Sequence, residues 1–179
     1  MVYLMLANGF EEIEALSVVD ILRRGEIEIE TVSVFNEEFV CGAHGIVVKA
    51  DKMFNEISEG YDMIVLPGGM PGTTNLQSSK ELLSLLQTAY KSDKFVAAIC
   101  AAPMILGELG MLKSKKATSY PGFEKHLLHA ELSIDNVCVD CNVITSRGAG
   151  TAPEFAFKLL ELLKSKEDAI RIRSSMMYD

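Results

Sequence analysis

Short, uniformly apolar runs alternate with longer amphipathic stretches along this chain, and that alternation restricts its fold more than any other feature. Val2 to Ala7, Met63 to Leu66 and Phe95 to Ile99 contain no charged residue. Strands of this kind have to be buried on both faces, as in a parallel sheet with helices packed on either side. The stretches between them carry helix signals. Asn8 and Glu11 form a loose capping signature before a helix predicted over Glu11 to Arg24, with Ile13, Leu16, Val19 and Leu22 as its apolar positions and Gly25 as its stop. Ile27 to Val34 alternates and is expected to form a second strand. Two short strands are expected within Asn36 to Met53, around Gly42 to Gly45. Ser78-Ser-Lys-Glu81 caps a helix predicted to reach Tyr90. A helix over Ala101 to Leu109 is expected to follow the Phe95 strand directly. Val137 to Val139 and Val143 to Thr145 suggest a hairpin turning near Asp140. Thr151-Ala-Pro-Glu154 has the spacing of a capping box for a helix to Leu163, and the tail beyond Ser174 is expected to fray. The pattern gives an α/β class with a mostly parallel central sheet covered on both faces.

Length and charge narrow the possibilities. At 179 residues the chain is expected to form one domain, residues 1–179. A mean hydropathy of +0.20 excludes a disordered chain. A net charge of −8 repels a phosphate backbone, so nucleic acid is not expected as a charge-driven partner. The longest apolar stretch, Phe95 to Leu106, is 12 residues and contains Pro103, too short to cross a bilayer. The N-terminal run has no basic residues before it and meets Glu11, Glu12 and Glu14, so it does not read as a signal peptide. Four scattered cysteines point to a reducing cytoplasm and make a lone reactive thiol worth seeking.

In a doubly wound sheet, function collects beyond the carboxyl ends of the strands. Three such ends stand out: Glu11, Glu12 and Glu14 after the first strand, Gly68 and Gly69 after the Met63 strand, and Cys100 after the Phe95 strand. Ala98 and Ala102 flank Cys100 two residues away on each side, as a sharp strand–nucleophile–helix turn requires. There, amides at a helix N-terminus would favour the thiolate. The alternative is a buried core cysteine. Gly68 and Gly69 either leave amides free for an oxyanion or simply make a tight turn. The three glutamates suit a solvated first helical turn, but one of them leaning inward would become neutral and donate to sulfur. His44, His126 and His129 read as surface residues. Cys138 and Cys141 have C-x-x-C spacing without a second pair, so no metal is expected there. Neither Gly69 to Thr74 nor Gly148-Ala-Gly150 matches a nucleotide-binding loop.

Four collinear segments, Ala7-Asn-Gly-Phe-Glu-Glu-Ile-Glu14, Val65-Leu-Pro-Gly-Gly69, Ala97-Ala-Ile-Cys-Ala-Ala-Pro103 and Thr145-Ser-Arg-Gly-Ala-Gly-Thr151, resemble the ThiJ/PfpI superfamily. Within it they are similar to the branch of the human parkinsonism-associated deglycase and its bacterial relatives. The resemblance implies a flavodoxin-like three-layer sandwich and a homodimer. It places the nucleophile on Cys100, a protonated glutamate on Glu14 and oxyanion amides on Gly69 and Ala101. Gly68 and Tyr120, the latter where the deglycase has a histidine before proline, are the expected substrate-binding positions. Ala101 replaces the histidine that follows the cysteine in the superfamily's peptidases, and the downstream His-x-Glu of glutamine amidotransferases is absent. The resemblance then implies glyoxalase- or deglycase-like chemistry on a small aldehyde or glycated adduct without a cofactor; the alternative is a non-catalytic oxidative-stress sensor or chaperone acting through oxidation of Cys100.

Overall fold

The computed structural model describes residues 1–178. In chain order the elements begin with β1 (Val2–Leu6), α1 (Glu12–Arg24), β2 (Ile29–Ser33), β3 (Phe39–Cys41), β4 (Val47–Lys49), β5 (Lys52–Met53) and β6 (Met63–Leu66). Helices α2 (Gly72–Ser78) and α3 (Lys80–Lys91) lead to β7 (Phe95–Ile99) and α4 (Pro103–Glu108). Then come β8 (Lys116–Ala117), β9 (Glu131–Leu132), β10 (Val137–Asp140), β11 (Val143–Ser146), α5 (Ala152–Leu163) and α6 (Lys166–Ser175).

The main sheet has seven strands in the order β10-β11-β7-β6-β1-β2-β5. All pairs are parallel except the β10–β11 hairpin. Each fully apolar strand serves two cores. Val2, Leu4 and Leu6 of β1 pack with residues of α1, α5 and α6 on one face, while Tyr3 and Met5 pack with α3 and α4 on the other. The result is a three-layer α/β sandwich with a mostly parallel sheet. The chain leaves β1 towards β2 on one side and returns to β6 on the other, so a crevice opens between the carboxyl ends of β1 and β6. Among the described residues, no helix is long and apolar enough to cross a membrane.

Several local expectations are corrected. Asn8 does not cap α1: its Oδ1 accepts from the Cys41 amide at 2.8 Å, and Glu11 is the capping residue without a side-chain bond. The apolar face of α1 is only partly the predicted one. Val19 and Leu22 are buried as expected, together with Ala15, Val18 and Ile21, whereas Ile13 is 54% exposed and Leu16 is exposed as well. Thr151 makes no capping bond to α5; its hydroxyl is engaged by the Gly148 amide and Ser146 Oγ. In α6, Ala169 and Ile172 are buried, and the ring of Tyr178 packs on Phe157 with centroids 5.6 Å apart. Asp179 lies outside the described residues.

Candidate active site

Cys100 sits in a sharp turn between β7 and α4 with a φ of 65°. A non-glycine residue in that left-handed region costs on the order of 1–2 kcal/mol. The surroundings fix it there: the Cys100 amide donates to the Ser146 carbonyl at 3.0 Å, and its own carbonyl accepts from the Tyr120 amide at 2.8 Å. Ala98 and Ala102, the small neighbours singled out in the sequence, are both fully buried. The side chain itself is part-exposed.

Glu14 projects from the first turn of α1 into the crevice and is 1% exposed. Its Oε2 accepts from the Gly68 amide at 2.8 Å, and the Cys100 side chain acts electrostatically on the same carboxyl. Gly68 is where the two groups meet. A Cβ on it would lie 2.6 Å from that of Cys100 and 2.7 Å from Glu14 Oε2, so no larger residue fits. Gly69 has a φ of +89°, and its amide and that of Ala101 both favour the charged form of the Cys100 sulfur.

The electrostatics are those of a coupled pair. Burial pushes the Glu14 carboxyl up to about 7; the Gly68 amide and the Cys100 thiol oppose the shift, and the charge of Glu11 adds to it. Burial also pushes the Cys100 thiol up, to about 12, reinforced by Glu14 and opposed by the amides of Gly69 and Ala101. The two amides favour the thiolate, as expected, but burial and Glu14 outweigh them; α4 is only six residues long and begins three positions later, at Pro103. Around pH 8 the pair holds one proton between two acceptors, and it titrates as a unit.

The other glutamates act elsewhere. Glu12 is buried rather than solvated. Its Oε1 accepts from the His44 amide at 2.8 Å, and its Oε2 lies 2.9 Å from His44 Nδ1. Burial pushes the Glu12 carboxyl up, but the His44 side chain and the amides of His44 and Ile46 outweigh it, leaving the carboxyl low. Glu11, Glu12 and His44 bring one ligand-type atom each within 4.8 Å of one another. Their hydrogen bonds already account for them as a clasp holding the β3–β4 loop to α1. His126 pairs with Glu108 at 3.1 Å, and no histidine is among the groups acting on Cys100 or Glu14. Cys138 is buried in β10 and Cys141 is exposed in the turn beyond it.

Tyr120 stands half exposed beside the pair and lines an open cavity of about 290 Å³ with Pro121, Arg147, Gly148, Ala149, Gly150 and Thr151. Cys100 borders this cavity through Tyr120 rather than lining it. Arg147 and Gly148 were not among the expected site residues. The strand-end rule would have found them, because β11 is parallel to β7 and ends at Ser146. Reading β11 only as half of a hairpin hid that.

The chain is similar to known proteins in sequence and in fold. The model of the DJ-1/PfpI family matches residues 1–162. Two relatives from Arabidopsis thaliana, Protein DJ-1 homolog B and Protein DJ-1 homolog A, are 36% and 37% identical over 98% of this chain, which spans 41% and 46% of their lengths. The Glutathione-independent glyoxalase DJR-1.2 of Caenorhabditis elegans is 33% identical over 88% of this chain and 84% of its own. An oxidized DJ-1 from Toxoplasma gondii superposes with a TM-score of 0.95 at 40% identity, covering 99% of this chain and 97% of that one. By sequence and by fold, this chain belongs to the DJ-1/PfpI family.

Proposed function

We propose that the protein converts reactive dicarbonyls such as methylglyoxal, or their early adducts with amines and thiols, into hydroxy acids without a cofactor. The observation that carries this reading is the coupled Cys100–Glu14 pair, with two amides that favour the thiolate and no histidine base. With the shared proton on Glu14, the Cys100 sulfur bonds to the aldehyde carbon. The carbonyl electron pair becomes an alkoxide that faces the amides of Gly69 and Ala101 and takes the proton from Glu14. Glu14, now a carboxylate, removes the proton from that carbon and delivers it to the neighbouring carbonyl carbon. The hydroxyl proton redistributes between the two oxygens, leaving a thioester of lactate. Water cleaves the sulfur–carbon bond and lactate departs. The sulfur leaves as thiolate, one proton returns to Glu14 and one goes to solvent. Gly68 and Tyr120 border the bound aldehyde.

The name of the nematode relative supports this class of reaction. Four free thiols support a reducing, cytoplasmic setting. The test is lactate formed from methylglyoxal by wild type and Cys100→Ala side by side. Turnover is expected in wild type and absent in the variant, and Glu14→Gln is expected to lower it strongly. Full activity in either variant would remove that residue from the mechanism.

A second reading, redox sensing, is favoured by the oxidized state of the Toxoplasma relative and by the part-exposed Cys100 with amides that favour its thiolate. Peroxide would then convert the thiolate to sulfenic and sulfinic acid. Absence of dicarbonyl turnover, with a stable gain of two oxygen atoms on Cys100 by intact mass, would make this the primary role.

A further inference from the structure

The cavity beside Cys100 carries a cation that the aldehyde chemistry does not use. Arg147 directly follows Ser146, whose carbonyl accepts the Cys100 amide, and its side chain lines the 290 Å³ cavity. Arg23, Arg24 and Arg171 each hold an aspartate at 2.7 to 2.8 Å. Arg147 is part-buried and pairs with no protein group among the described residues. The amides of Ala149 and Gly150, which border the same space, likewise donate to no protein acceptor.

A second, independent atom points to a ligand here. Glu14 is 1% exposed, yet its Oε1 has no hydrogen-bond partner. A Cβ on Gly148 would lie 3.9 Å from that oxygen and 3.2 Å from Cδ2 of Tyr120. The orphan oxygen thus lies close to Gly148, which lines the cavity together with Tyr120 and Arg147, while Glu14 itself does not line it. Buried polar atoms are normally satisfied, so the unpartnered oxygen marks this wall as incomplete, and a ligand seated against Gly148 would meet the guanidinium of Arg147. A guanidinium matches a carboxylate in a two-pronged contact. Size agrees. A three-carbon oxoaldehyde has five non-hydrogen atoms and, at about the 30 Å³ that one water occupies, fills roughly half of the cavity.

We propose that Arg147 is a specificity-determining residue, and that the preferred substrate is a 2-oxoaldehyde, or an adduct of one, bearing a carboxylate. This rests on the aldehyde reading and narrows it. The kinetic test compares kcat/KM for 4,5-dioxopentanoate with that for its uncharged counterpart of similar length, 2-oxohexanal. Wild type is expected to favour the carboxylated probe by roughly tenfold. Arg147→Gln is expected to bring the ratio near one, Arg147→Lys to fall between, and Lys91→Gln, a charge removed from the end of α3, to keep the wild-type ratio. A second measurement needs no turnover: the rate of Cys100 alkylation by iodoacetate relative to iodoacetamide, read at the Cys100 peptide with exposed Cys41 and Cys141 as internal references. Arg147→Gln should lower that ratio by a similar factor at Cys100 alone. Turnover of both aldehydes with no charge preference would leave the aldehyde reading standing and overturn this one. An Arg147-dependent alkylation ratio without any turnover would overturn the aldehyde reading and the 2-oxoaldehyde substrate with it, leaving only the carboxylate contact at Arg147. An alkylation ratio at Cys100 that is the same in wild type and Arg147→Gln also overturns the proposal.

Discussion

Glu14 links the chemistry of the site to the stability of the fold. Its carboxyl rests at about 7 in the folded chain against an ordinary value of 4.5, so between those limits the folded state binds more protons than the unfolded one. Stability is therefore highest below pH 4.5 as far as this group is concerned, falls as pH rises through 7, and is level above that. The difference amounts to about 3 kcal/mol. Glu14→Gln keeps an acceptor for the Gly68 amide and removes the titration. Urea unfolding at pH 5 and pH 8 should show the variant more resistant than wild type at pH 8, with the gap mostly closed at pH 5. A wild-type curve with the same midpoint shift as the variant would mean that Glu14 is not held neutral. The same proton governs reactivity: the pair must lose one proton to become nucleophilic, so wild-type alkylation of Cys100 should rise with pH through about 7.

At the level of elements, the sheet was legible because apolar runs without a charge admit few other arrangements, and each of the three is a central strand of the seven-stranded sheet. The catalytic candidates were legible for the same reason. Glu14, Gly68 and Cys100 fall at the carboxyl ends of β1, β6 and β7, which are neighbours in the sheet. Helix starts were read less well, since a capping residue has alternatives that only the tertiary structure decides. Ser79 does cap α3, its Oγ accepting from the Leu82 amide at 3.2 Å. Asn8 has the same local credentials but is drawn to the β3–β4 hairpin, where Oδ1 binds the Cys41 amide and Nδ2 donates to Glu37. The two residues should therefore fail differently. Ser79→Ala should cost about 1 kcal/mol of stability and speed hydrogen exchange in the first turn of α3. Asn8→Ala should speed exchange at the Cys41 amide while leaving the protection of α1 unchanged. Faster exchange in the first turn of α1 would restore Asn8 as a cap. The partly different face of α1 follows the same logic: α5 packs along Ala15, Val18 and Leu22, and Ile13 and Leu16 are left facing outward.

For the whole molecule, we propose that this outward face is the contact through which two copies of the chain would pair, as the family resemblance implies. Ile13 of α1 and Ile46 before β4 line one hollow of about 250 Å³ beside Glu12 and His44. Ile13, Phe39, Ile46 and Val47 are each more than half exposed, at 54%, 57%, 53% and 57%. Fully burying an aliphatic side chain of this size stabilises by about 1.5–3 kcal/mol, and a two-fold contact would use the same patch on both chains. Each chain also carries a net charge of −8, so association is opposed by a repulsion that salt screens. The dimer should therefore tighten with added salt, the opposite of a contact built on ion pairs. Sedimentation at micromolar protein should give the mass of two chains for wild type and of one chain for Ile13→Asp combined with Ile46→Asp, which sets carboxylates against one another across the two-fold axis. A single-chain mass for wild type at both low and high salt would remove the dimer from this account. An intact dimer in the double variant would move the contact to another face.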